Sequence, residues 1–108
     1  MRRGPSLVVL LGAALLSAAP AQAADLAAGQ KTAQACTVCH GAQGLGAAPD
    51  APHLAGQPAQ YLVAQLRAYR DGGRRHEVMS LMAKPLSNAE IDDLAAWFAS
   101  IEVQVKAP

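Results

Sequence analysis

An all-α domain is predicted by three features of this chain of 108 residues. Apolar residues recur at helical spacing twice, at Leu62, Leu66 and Tyr69 and again at Ile91, Leu94, Ala95, Phe98 and Ile101. Both runs carry end signals: Pro58 before the first and Gly72-Gly73 after it, and the capping string Ser87-Asn88-Ala89-Glu90 before the second. No internal repeat is present, and no segment reads convincingly as a strand.

The first 23 residues stand apart. Met1-Arg2-Arg3 is a short positive region, Leu7 to Ala19 is apolar, and Ala21-Gln22-Ala23 offers small residues where an export peptidase reads. Residues 1–23 are therefore expected to be an export signal cleaved after Ala23, and residues 24–108 one mature domain in the periplasm. The apolar run is short for a membrane span and Pro20 ends it. No cysteine follows it to carry a lipid anchor. Of the nine Lys and Arg, Arg2 and Arg3 lie in this segment, which leaves seven against eight Asp and Glu. A nearly neutral mature chain argues against nucleic-acid binding and against strong steering toward a highly charged partner. At about 85 residues, an apolar core alone gives only marginal stability, and an embedded prosthetic group would make up the difference.

The elements follow in order. Asp25 is a natural N-cap for a first helix through Ala27, Ala28, Lys31, Thr32 and Ala35 toward Cys36, with Gly29 open to close approach by another helix. Residues 41–56, rich in Gly, Ala and Pro, form an irregular loop that is long for so small a domain and is expected to wrap something. A second helix opens with Pro58 at its first position and stops at Gly72-Gly73. Residues 74–85 are a connector containing Met79 and Met82. The last helix begins at the capping box, with Trp97 at the margin of its apolar face.

Between the first helix and the loop stands Cys36-Thr37-Val38-Cys39-His40-Gly41, which holds both cysteines of the chain. This spacing suits covalent attachment of a c-type haem. Two thiolates add to the two vinyl groups, and the adjacent imidazole reaches the iron from one face. A thioredoxin-like dithiol would need a βαβ context that is absent, and structural zinc would need a fourth donor and a different placement of His40. The iron then has a second axial position. A thioether there closes the site and raises the potential, which suits an electron carrier, and Met79 and Met82 both compete for it. His53 and His76 are weaker candidates, and Arg74, Arg75 and His76 form a small basic cluster.

Taken together, Cys36-x-x-Cys39-His40-Gly41, Pro52-x-Leu54-Ala55-Gly56-Gln57, Tyr61 with Gln65-Leu66, Met79-x-x-Met82 and Pro85-Leu86-Ser87 resemble the class I c-type cytochromes, in particular the cytochrome c4 and c553 group. The resemblance covers essentially all of residues 24–108. It implies three to four helices wrapped around one haem c bound through Cys36 and Cys39, with iron held by His40 and Met79 and with Met82 as apolar filler. It further implies that the Pro52 carbonyl accepts from the His40 ring, that Leu54 lies on the porphyrin, and that Gly29 meets Trp97 or Phe98 where the first and last helices cross. The expected function is single-electron transfer between redox proteins, by a monomer or weak dimer that catalyses no bond-making itself. Two alternatives remain: a haem subunit of a periplasmic dehydrogenase oxidising sulfur compounds or alcohols, and an open-site gas-binding or peroxide-active protein.

Overall fold

A computed structural model describes residues 1, 4, 12–19 and 22–108. Arg2, Arg3, residues 5–11, Pro20 and Ala21, on which much of the expected export signal rests, lie outside the described residues. Helix α1 spans Leu26–Ala33, followed by a 3-10 turn at Gln34–Cys36 and a short α2 at Thr37–His40. Helix α3 spans Ala59–Asp71, α4 Met79–Ala83 and α5 Asn88–Ser100. Among the described residues there is no strand, in keeping with the all-α expectation, and no helix is long and apolar enough to cross a membrane.

Asp25 caps α1 as its position suggests, its carboxylate accepting the Ala28 N–H at 3.0 Å. Its own N–H donates to the Asp93 carboxylate at 2.7 Å, which ties the start of α1 to α5. The two helices cross at Gly29, where an added Cβ would stand 2.9 Å from the Trp97 Cβ and would also collide with the Asp93 backbone carbonyl. Small residues on α1 thus let the backbones approach, and Ala33, Leu62, Leu94, Ala95 and Phe98 form one buried cluster behind the crossing.

Pro58 lies one residue earlier than expected. Its ψ of 130° is extended, so it is the N-cap of α3 rather than its first helical residue, and its carbonyl accepts the Leu62 N–H at 3.1 Å. The helix ends at a left-handed Gly72, whose N–H donates to the Ala68 carbonyl at 3.0 Å. Within the span expected as a connector, the structure forms α4, a helix of only five residues. The capping box of α5 is complete: Ser87 Oγ accepts the Glu90 N–H at 3.1 Å and Glu90 Oε2 accepts the Ser87 N–H at 2.8 Å.

Arg70 joins the end of α3 to the start of α5. Its guanidinium donates to the Leu86 carbonyl at 3.2 Å, to Asn88 Oδ1 at 2.9 Å and to the Asp71 carboxylate at 2.9 Å. The last contact holds the Asp71 carboxyl below the usual carboxylate range. The segment that returns from α4 to α5 is thereby pinned to α3.

Candidate cofactor-binding site

The 3-10 turn and α2 present Cys36, Cys39 and His40 from one tight stretch of backbone. Thr37 Oγ1 closes the turn on the Gln34 carbonyl at 2.9 Å. Gly41, with φ of 82°, then reverses the chain; a Cβ there would strike the Leu45 carbonyl oxygen, so a side chain is excluded on both conformational and steric grounds. Cys36 is half-buried and Cys39 exposed, and both are free thiols. Burial pushes the Cys36 thiol up.

His40 is buried, and its Nδ1 lies 2.9 Å from the Pro52 carbonyl oxygen. A carbonyl only accepts, so Nδ1 carries the ring proton and Nε2 keeps its lone pair for a metal. The irregular 41–56 loop delivers that carbonyl. It is anchored by N–H donation from Ala47 and Ala48 to the Cys39 carbonyl at 2.9 and 3.0 Å, and from Leu54 and Ala55 to the Gly44 carbonyl at 2.7 and 3.0 Å. Leu54 is partly buried and packs on the core cluster. His53 is exposed, and its Nδ1 accepts the Gly46 N–H at 2.7 Å, which occupies that nitrogen within the loop.

Behind Cys36 opens an apolar slot of about 220 Å³, lined by Thr32, Ala35, Leu66, Leu86 and Leu94, with Met79, Met82 and Pro85 among its other residues. Both methionines therefore share one slot with Cys36. They lie three residues apart on the same face of α4. Met79 is half-buried and Met82 39% exposed. His76 does not line this slot. It faces a separate, more polar depression of about 710 Å³ together with Arg70, Arg75 and Lys84, and its Nδ1 accepts the N–H groups of Val78 and Met79. Among the described residues no group of three or more His, Cys, Asp or Glu is placed to hold a metal ion, so the donors of a tetrahedral zinc site are not assembled.

Thiols, a buried imidazole with one nitrogen free, thioethers and an apolar slot form a donor set that fits a haem. Leu66, Leu86 and Leu94 were legible only as helix faces or connector residues; nothing in their spacing said that they would line a slot. The sequence profile of the cytochrome c family matches residues 26–102. This chain belongs to the cytochrome c family.

The cytochrome c fold is shared with the reduced recombinant cytochrome c4 from Pseudomonas stutzeri at a TM-score of 0.71 and 38% identity, over 77% of this chain and 48% of that one. The thiosulfate dehydrogenase electron acceptor of Thiomonas intermedia is 48% identical over 96 residues, 88% of this chain and 42% of its own. Cytochrome c-554(548) of Halomonas halodenitrificans is 45% identical over 83 residues, 74% of this chain and the whole of its own length. The chain thus spans less than half of the first two and all of the third. Family membership implies one covalently bound haem c with its iron, and Cys36-x-x-Cys39-His40 fits its attachment. The domain is thus a cytochrome c domain similar to those of cytochrome c4.

Proposed function

We propose that this protein is a single-haem electron carrier, exported by residues 1–23 and folded over residues 24–108, which passes single electrons between redox proteins in the periplasm. The observation that carries this reading is the shared slot: Met79 and Cys36 line the same apolar space, and four residues after Cys36 the His40 imidazole is already oriented by the Pro52 carbonyl. A haem iron bound there supplies reversible one-electron chemistry.

Each residue has a defined part. Cys36 and Cys39 hold the macrocycle as thioethers. His40 is a ligand whose ring is fixed by Pro52, and the hydrogen bond makes its Nε2 a better donor. Met79 is the second ligand, a neutral thioether that raises the potential and closes the site, while Leu54, Leu66 and Leu86 keep water away. Leu81 at the slot and Val38 between the two cysteines are 72% and 84% exposed. Together with Met82 they offer an apolar contact for a partner. With a near-neutral mature chain, the encounter is expected to be small and short-lived, below about 1,200 Å² of buried surface.

One observation favours a second reading, in which the same domain accepts electrons within a sulfur-compound dehydrogenase: the 48% identity to a thiosulfate dehydrogenase electron acceptor. The two readings share the haem chemistry and differ in assembly. Fractionation of native periplasm tests them. A free shuttle elutes alone, with a reversible one-electron titration. Stable, stoichiometric elution with an oxidoreductase contradicts the shuttle and establishes the subunit.

A further inference from the structure

Helix α4 is too short to hold itself. Five residues make no cooperative helix in water, and the first-turn N–H groups of any helix need outside partners. At α4 the partner is a side chain two and three residues upstream. His76 Nδ1 accepts the N–H groups of Val78 and Met79, each at 3.2 Å. Its backbone N–H donates to Ser80 Oγ at 3.0 Å, and its carbonyl accepts the Ser80 N–H at 3.0 Å. The N-cap residue, Val78, brings no capping side chain, and the imidazole two residues before it supplies the acceptor that Ser, Thr, Asp or Asn usually provides.

The ring is itself held from α3. Tyr69 meets it edge-on, with centroids 6.5 Å apart and planes at 73°. The Arg74 guanidinium covers the Tyr69 ring at 4.6 Å from its centroid. Arg74 in turn donates to Gln65 Oε1 at 2.7 Å, and its N–H donates to the Ala68 carbonyl at 3.0 Å. The relay from Gln65 through Arg74, Tyr69 and His76 ends on the backbone N–H of Met79. Arg74 and His76 of the basic cluster thus brace α4 against α3.

We propose that His76 is a positioning residue for Met79: its Nδ1 cap holds the first turn of α4 so that the thioether stays aimed into the slot. This rests on the reading of Met79 as the iron ligand. Without the cap, the Met79 backbone is free to leave its helical conformation, and the sulfur leaves the iron more often. The resting spectrum would stay that of a thioether complex, because the bond still forms. What changes is how often the sixth position opens.

The test is the rate at which the ferric holoprotein captures added imidazole, followed by loss of the sulfur-to-iron charge-transfer band. Capture should be about fivefold faster in His76→Ala, the factor for one lost helix cap, and within about twofold of the parent in His76→Asn, which restores an acceptor. Asp25→Ala removes the cap of α1, away from the slot, and should leave the rate unchanged although it lowers global stability. Should His76→Ala fail to accumulate, His76→Gln keeps a side chain while moving the acceptor off the amides and reads the same rate. A parent rate in both the Ala and Gln variants, or an equal acceleration in Asp25→Ala, overturns the proposal. If the parent itself shows no sulfur-to-iron band, the ligand reading fails and this proposal falls with it. A parent band with unchanged variant rates sinks only the role of His76.

Discussion

Met79→Ala yields a ferrous protein that binds carbon monoxide, whereas the parent does not. On the proposed ligation the Met79 thioether closes that face: Leu66, Leu86, Leu94 and Ala83 of the slot bring no donor atom, and Met82 is the other thioether there. Loss of the sulfur also lowers the reduction potential, since a thioether favours the ferrous state. Stability should fall by only about 1–2 kcal/mol, at or below the low end for methionine truncation, because Met79 is half-buried. Met82→Ala is the internal comparison. Met82 lines the same slot and is more exposed, so its removal should leave the sulfur-to-iron band and the carbon monoxide indifference intact. Carbon monoxide binding by Met82→Ala but not by Met79→Ala would transfer the ligand assignment to Met82.

Gly29→Ala destabilises the protein although it replaces a poor helix former with the best one. Propensity alone favours alanine by about 1 kcal/mol in a helix interior. Against it stands the crossing of α1 and α5, where the new methyl would meet the Asp93 backbone carbonyl and the Trp97 Cβ. A backbone obstacle cannot rotate away, so α1 must lift off α5 and loosen both the Asp25 to Asp93 hydrogen bond and the packing around Ala33. Overpacking of this kind costs about 3 kcal/mol or more, which leaves a net loss of about 2 kcal/mol. Gly29→Leu should not accumulate as holoprotein at all, since a small domain has little stability to lose. Denaturant unfolding of the alanine variant checks the sign. A midpoint at or above that of the parent would mean that helix propensity decides, and that the crossing is looser than its geometry shows.

What was legible in the sequence depended on short, local spacing. The Asp25 cap and the Ser87 to Glu90 box each act within one turn of chain and form as their residues suggest, and the Cys36-Cys39-His40 string is likewise contained in one tight stretch of backbone. Gly29 was readable because an unsubstituted position in a helix of small residues suits little except a close crossing. Helix α4 was not readable. Met79-Ser80-Leu81-Met82-Ala83 is too short to show a period, and the contacts that surround it, the His76 ring on its first amides and the packing of α4 on α3, leave no mark in hydrophobic spacing. The shift at Pro58 has a similar origin, because proline sets φ but leaves ψ to the context. Leu66 belonged visibly to an apolar face, but periodicity does not say whether a neighbouring helix or a cofactor covers that face. The same limit kept Met79 and Met82 apart only by family resemblance, since both line the slot.

The axial ligand pair is the centre of the account. Absorption spectra of the ferric and ferrous holoprotein, matured in a periplasm and recorded with and without carbon monoxide, test it most directly. A low-spin ferric spectrum with the weak sulfur-to-iron band, and a ferrous spectrum that carbon monoxide does not change, is the predicted result. A high-spin ferric form, or a ferrous form that takes up carbon monoxide, would contradict it: neither methionine would then hold the iron, and the open-site, ligand-binding alternative would replace the electron carrier.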